Sequence, residues 1–415
     1  MSAPSHPAGS APSHPAGSAP SHPAGATETS RQTGELPVRV GMVGGGQLAR
    51  MTHRAAIDLG VSLEVLTPGS DDPAAAAGAR FHAGQPDDLD ALAAFGATVD
   101  VVTLDHELVP ADGLQRILDA GGTVHPSPRA LRFAQDKLHA RTGFRDAGFP
   151  VPPFRAIDTS DAVASFADVH GWPVVLKAQA GGYDGRGVEV VADVDTATSV
   201  LTRPGDWMIE AHVPIATEVA VVLARSPDGA TVVYPVVETV QRDGICVELV
   251  LPARIPDALA HRAKDLATRI ADTIGVVGIL AVELFVTTDD HLVVNEIATR
   301  PHNSGHATIE GSVTSQFTNH LRAVLGWPLG AVEMRAPVAV TVNLLGGPEP
   351  VDPRSRLPLA LQDPHVHAHL YGKLWRPGRK LGHVTVLGDD VDAALASARL
   401  AAARLTEPDP PGARP

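Results

Sequence analysis

The sequence predicts an α/β protein of several domains that opens with a doubly wound βαβ unit. Residues 37–60, PVRVGMVGGGQLARMTHRAAIDLG, run from an apolar strand through three glycines into a helical pattern that stops at Gly60. Further apolar strands alternate with helical stretches as far as about Phe133. Residues 172–191 set the strands WPVVLKAQ and VEVV on either side of AGGYDGRG, a hairpin signal. Residues 278–298 hold two more apolar strands, GILAVELFVT and HLVVNEIA, joined by a tight turn at 287–291.

Taken in order, the first strand is apolar almost throughout, as a strand covered on both faces of a parallel sheet must be. VSLEVLT (61–67) and VDVVTLD (99–105) repeat the type, and PADGLQRILDAG (110–121) supplies a helix before TVHP. QDKLHARTGFRDAGFPVPPF (135–154) reads as a helix stopped by Gly148 and Pro150, and it leads into the glycine-rich hairpin. Next come the strands DWMIEAHV, TEVAVVLARS and TVVYPVVETVQ, the long helix DALAHRAKDLATRIADTIG and the paired strands. AVTVNLLG and HAHLYGKLWRPGRKLGHVTVLG form a last short α/β unit. These shifts divide the chain into a leader (1–35), a Rossmann-like domain (36–134), a lid segment (135–205), a central domain (206–330), a C-terminal domain (331–405) and a tail (406–415).

The leader carries SAPSHPAG three times from Ser2, with His6, His14 and His22 at the same period. That composition cannot bury a core and predicts disorder, as does EPDPPGARP at the end. Over 415 residues, 44% hydrophobic and 19% charged residues fit a soluble enzyme of two or three cores. A net charge of −14 argues against nucleic-acid binding, where a basic surface supplies affinity. The single cysteine, Cys246, excludes an internal disulfide, and its apolar neighbours predict a structural thiol. No apolar run reaches the length of a membrane span, and no signal peptide is present, so a cytoplasmic protein without membrane contact is expected.

The chemistry gathers in four places. Glu283 and Glu296 lie thirteen residues apart on the paired strands, so both carboxylates can share one face. Glu283 sits among Ala, Val, Leu and Phe, where a carboxylate needs a cation. Two such groups plus phosphate oxygens suit Mg²⁺. Strict alternation puts Asn295 on the opposite face. Lys177 ends an apolar strand before GGYDGRG, whose four glycines in seven residues let backbone N–H groups approach a phosphate. Further on, backbone at Ala211 and Val213 offers an adenine edge, and Glu218 can accept ribose hydroxyls. Arg300, His302, Asn303, Ser304 and His306 follow directly after the second carboxylate strand, where an arginine stabilises charge in phosphoryl transfer. The H-x-x-x-H spacing there lies in a Pro/Gly loop and lacks HExxH, so zinc is not expected. Finally, Lys373, Arg376, Arg379, Lys380 and His383 fall within thirteen residues and suit an anionic substrate.

The ordered motifs GGGQLARM, GGYDGRG, VELFV…NEIATRPHNSGH, SQFTNHLRA, VNLLG and YGKLWRPGRKLGH resemble the 5-(carboxyamino)imidazole ribonucleotide synthases of purine biosynthesis over about residues 36–405. The resemblance implies an ATP-grasp fold (a pre-ATP-grasp domain, a two-part centre with a glycine-rich lid and a small C-terminal domain) in a cytoplasmic homodimer. It implies ATP-dependent carboxylation of 5-aminoimidazole ribonucleotide by bicarbonate through carboxyphosphate, releasing ADP and phosphate. By resemblance Arg132 and Lys177 touch ATP phosphates, and Gly182, Tyr183, Asp184, Gly185, Arg186, Gly187 and Val188 form the lid. Glu210, Ala211, His212, Val213, Glu218 and Gln241 hold the nucleoside, with Asn295 and Glu296 at the phosphates. Glu283 and Glu296 carry Mg²⁺, while Arg300, His302 and Asn303 face the transferred phosphate and bicarbonate. Gly46, Gln47, Leu48, Tyr183, Arg186, Lys373, Arg379 and Lys380 meet the ribotide. Two positions depart from the family pattern: Thr299 stands where proline is frequent, and Gln241 where some members carry histidine.

Two other readings compete. A different ATP-grasp enzyme, such as formate-dependent glycinamide ribonucleotide transformylase or a biotin carboxylase, would share the metal strands; the tyrosine of GGYDGRG and the RPGRK cluster favour the synthase. An NAD-dependent oxidoreductase would use Gly44-x-Gly46-x-x-Ala49, but the acid expected at the end of the second strand is missing, since Glu64 lies mid-strand. On the synthase reading the N-terminus of the first helix receives the ribotide 5′-phosphate.

Overall fold

The computed structural model describes residues 1, 38–181 and 187–408. The first domain contains β1 (Arg39–Val43), α1 (Gln47–Asp58), β2 (Ser62–Thr67), β3 (Arg80–Ala83), α2 (Leu89–Gly96), β4 (Val101–Leu104) and α3 (Ala111–Asp119). Its parallel sheet runs β3-β2-β1-β4. One apolar layer, with Met42 and Val65, packs on α1; the other, with Val43 and Leu104, packs on α2 and α3.

The chain then passes through α4 (Pro128–Gln135) and α5 (Lys137–Asp146). The helix expected from Gln135 is α5, which starts at Lys137 because Asp136 leaves helical geometry and accepts from the His139 N–H as its cap; α4 was not expected. The small sheet follows, from β5 (Phe154–Ile157), α6 (Ser160–His170), β6 (Val174–Ala178), β7 (Val188–Val191), α7 (Val194–Leu201) and β8 (Trp207–Ala211). It is antiparallel, in the order β5-β8-β6-β7. Residues 182–186 between β6 and β7, where the sequence places Gly182, Tyr183, Asp184, Gly185 and Arg186, lie outside the described residues, as do the SHPAG repeats.

The large sheet begins with β9 (Ile215–Arg225), β10 (Thr231–Val233), β11 (Val237–Arg242) and β12 (Ile245–Leu251). TVVYPVVETVQ, expected as one strand, is split into β10 and β11 around Pro235, which has no N–H for a ladder. After α8 (Asp257–Ile274) come β13 (Gly278–Thr287) and β14 (Leu292–Ala298), then α9 (Thr308–Gly311) and α10 (Gln316–Val324). The C-terminal segment adds β15 (Val338–Leu345), α11 (Leu357–Ala360), β16 (Val366–Leu370), β17 (Lys380–Gly388) and α12 (Val391–Thr406). Its strands continue the central sheet, in the order β14-β13-β9-β11-β12-β15-β17-β16, with β10 on β9. The longest apolar layer lies where α8 covers β9 and β13, and α12 covers the C-terminal end of the sheet. Among the described residues no helix is long and apolar enough to cross a membrane.

Candidate active site

The sheets and the loops at their edges enclose a cleft of about 1610 Å³. A site for one small ligand occupies roughly 300–1,000 Å³, so the cleft has room for two. Its floor is the β13–β14 pair. Glu283 and Glu296 are directly opposite in register, and the register shifts immediately after them, where Leu284 faces Val294. Asn295 is therefore the extra residue of a β-bulge. The bulge corrects the alternation argument: Asn295 turns into the cleft beside Glu296 and accepts from Lys177 Nζ at 3.2 Å.

Three carboxylates crowd this floor. On β9, Ala220 pairs with Glu283, so Glu218, two residues away, shares its face. Burial, then Glu296 and Glu218, push the Glu283 carboxyl up to about 8. Burial and Glu296 also raise Glu218. For Glu296 burial acts in the same direction but is outweighed by Lys137 and Lys177, which hold it down near 2. Lys137 Nζ lies 2.8 Å from Glu296 Oε2. Such a cluster is short of positive charge.

Lys177, on β6, is buried between Glu210 and the bulge. Glu210 binds Lys177 Nζ at 2.8 Å through Oε2 and Arg141 Nε at 2.5 Å through Oε1, with all three side chains almost wholly buried. Burial lowers the Lys177 pKa despite this partner, and the two cations hold Glu210 below its usual value against the effect of its own burial. The Glu210 carboxylate is thus committed to positioning Lys177; backbone is what Glu210 can offer a nucleoside. Of the backbone expected to meet adenine at Ala211 and Val213, the Ala211 N–H already donates to the Pro153 carbonyl. Ala211, His212, Val213, Glu218 and Gln241 all line the cleft, together with Arg132, Val188 and Phe285. Gly187 is a turn residue leading into β7.

The loop after β14 forms the middle of the site. Arg300 Nη2 donates to Glu107 Oε2 at 2.8 Å. His302 Nδ1 accepts from the Ser304 N–H, so in the neutral ring the proton is on Nε2, 3.6 Å from Glu283 Oε1. Asn303 is buried, and among the described residues neither of its side-chain amide atoms has a hydrogen-bond partner. His306 turns away from His302 and stacks on His383 at 4.7 Å between ring centres, and burial first of all holds both imidazoles far below their ordinary pKa.

At the other end lie Gly46, Gln47 and Leu48 with Lys373, Arg376, Arg379 and Lys380. Lys373 Nζ donates to Gln47 Oε1, joining residues 326 apart in sequence. Gly44 has a φ of +97°, and an added Cβ there would meet Asp105 and His106 at 2.9 Å, so this turn needs glycine. The α1 N-terminus corrects the sequence expectation. Asp105 Oδ2 accepts from the Gly46 N–H at 2.8 Å and Oδ1 from the Ala49 N–H at 2.7 Å. A carboxylate already holds half of the proposed phosphate cradle, leaving the amides of Gln47 and Leu48. Glu64, the acid weighed for a nicotinamide ribose, is buried against Arg80 and His82 of β3. Sequence reasoning missed Lys137, Arg141, Asp105 and Glu107, each of which acts on a residue 56 or more positions away.

Comparison with known proteins shows the family and the fold. Family models match for a ribonucleotide synthetase preATP-grasp domain (38–135), an ATP-grasp domain (142–317) and a phosphoribosylaminoimidazole carboxylase C-terminal domain (339–397). The N5-carboxyaminoimidazole ribonucleotide synthase of Mycobacterium tuberculosis is 48% identical over 386 residues, covering 91% of this chain and 90% of the relative. That of Corynebacterium ammoniagenes is 43% identical, covering 88% and 91%. The Aspergillus clavatus enzyme, solved with ADP and 5-aminoimidazole ribonucleotide, superposes with a TM-score of 0.82 at 32% identity, covering 89% of this chain and 99% of that one. The chain belongs to the N5-carboxyaminoimidazole ribonucleotide synthase family.

Proposed function

We infer that this chain carries out its family's reaction, the ATP-dependent carboxylation of 5-aminoimidazole ribonucleotide in purine biosynthesis. One observation carries the reading from the residues: a single cleft is lined by a lysine-and-carboxylate group suited to a nucleotide, by a cationic group suited to a sugar phosphate, and by Arg300 and His302. ATP fits the carboxylate-and-lysine group, with Lys177 and Arg132 at its phosphates and the Val213 N–H at adenine. The ribotide fits the cationic group, its phosphate at Lys373, Arg379 and Lys380 and at the amides of Gln47 and Leu48.

Glu283 and Glu296 fit Mg²⁺. Two opposed carboxylates, one held largely protonated by burial and like charge, gain from a cation between them. Glu283 and Glu296 would hold the ion, and phosphate oxygens and water would supply its other ligands. When bound, Mg²⁺ neutralises the phosphate charge. Bicarbonate oxygen attacks the γ-phosphorus and ADP leaves; the ribotide's exocyclic amine then attacks the carboxyl carbon, phosphate leaves, and the amine proton passes to it. Arg300, His302 and Asn303 orient the bicarbonate and the transferred phosphate, so catalysis here is positioning, charge neutralisation and exclusion of water. A cytoplasmic homodimer completes the reading, and light scattering tests the dimer.

ADP release from ATP and bicarbonate, with and without aminoimidazole ribotide, tests the function. Strong dependence on this ribotide supports it. Equal turnover with glycinamide ribotide and formate would move the chain to the transformylase reading.

A further inference from the structure

Arg300 is held from outside its own domain. Its Nη2 donates to Glu107 of the first domain, and its Nη1 to the Pro301 carbonyl at 2.9 Å. Among the described residues two of the five guanidinium N–H bonds are used, and three remain: one on each terminal nitrogen and the buried Nε–H. Both side chains line the cleft and are about one-fifth exposed, at 18% and 19%.

The segment that carries Glu107 is itself fixed on both sides. Two residues before it, Asp105 holds the α1 N-terminus. On the other side Gln135 Nε2, at the end of α4, donates to the carbonyls of Glu107 at 2.6 Å and Val109 at 2.8 Å. Nothing in the packing requires a carboxylate here, because the pair faces the cavity. In a cleft that must admit ATP, bicarbonate and a sugar phosphate, a negative charge opposes ground-state binding. Its benefit therefore has to lie in a later step.

We propose that Glu107 is a positioning residue for Arg300: it anchors one nitrogen of the guanidinium so that the remaining N–H bonds point where charge develops as phosphate is transferred. The inference rests on the function given above. The first domain thereby contributes to phosphoryl transfer as well as to ribotide binding. A flexible arginine without this anchor binds anions equally well but spends less time in the productive orientation.

The test is Glu107→Gln, Arg300→Lys and the double variant, assayed by ribotide-dependent ADP release together with thermal melting. Glu107→Gln should lower kcat tenfold or more, while the KM values for ATP, bicarbonate and ribotide stay unchanged or fall, because a repelling charge has gone. Added to Arg300→Lys, it should lower kcat by less than a further twofold, since the anchored group is already altered. A kcat within twofold of the wild type, additive losses in the double variant, or a raised KM at unchanged kcat would each overturn the proposal. Should Glu107→Gln melt early, Glu107→Asp keeps the charge but withdraws it by one methylene, and the same kcat loss is expected with melting intact; wild-type kcat in that variant would overturn the proposal. Wild-type protein without ribotide-dependent turnover would refute the function itself, whereas an active wild type with an equally active Glu107→Gln refutes only the anchoring.

Discussion

Replacing Glu210 by glutamine keeps shape and removes one charge from the buried group that positions Lys177. Glu210 and Arg141 side chains are each 3% exposed and Lys177 is 8% exposed. The variant would therefore leave two cations facing a neutral amide with almost no water. Breaking a buried ion pair from one side costs about 3–5 kcal/mol. Lys177 can recover part of that by releasing its proton, which burial already favours, so the lower end, ~3 kcal/mol, is expected. Melting entropy near 2.1 cal/mol/K per residue then gives a Tm lowered by about 4 °C if the chain melts as one unit. Because Lys177 loses the carboxylate that positions it, the KM for ATP should rise. The pH dependence has a definite sign. Glu210 is held below its unfolded pKa, so the stability gap between wild type and variant should be full above the ordinary glutamate pKa, ~4.3. It should close as the pH falls through the lowered folded value. Calorimetry from pH 7 downward and ADP-release kinetics are the assays. An unchanged Tm together with an unchanged KM for ATP would refute the assignment of this trio to Lys177.

Other substitutions probe the rest of the cleft. Glu296→Ala should abolish Mg·ATP turnover with the fold intact by circular dichroism; near-normal ADP release would rule the metal role out. Lys380→Ala should raise the ribotide KM about tenfold or more and leave the KM for ATP within twofold, and the reverse pattern would count against the phosphate clamp. Gly46→Ala is acceptable to the backbone at φ −74° but drives a methyl into Asp105 Oδ2. It should cost about 1–2 kcal/mol by disturbing the α1 cap and raise the ribotide KM. Wild-type melting and ribotide KM in that variant would show that Asp105 is not the cap.

Local pattern in the sequence was enough for the strand–glycine–helix opening, the strands bearing Lys177, Glu283 and Glu296, and the basic stretch before His383. Each is a short-range signal: apolar periodicity, glycine where backbone must approach, or charge against composition. The face-to-face carboxylates needed more than that: continued without its bulge, the ladder from Val286–Leu292 to Leu284–Val294 would set Glu283 opposite Asn295. Tertiary structure decided what those patterns leave open. A bulge moved Asn295 into the cleft against strict alternation. Asp105 took the α1 amides that a phosphate was expected to share. Glu210 became the support of Lys177, and Lys137, Arg141 and Glu107 entered the site from positions with no motif around them. The reason is range. Propensity and periodicity act over a few residues, whereas the partner of a buried charge is whichever oppositely charged group the fold brings within about 3 Å, and for Arg141 and Lys137 that group lies 69 and 159 residues away.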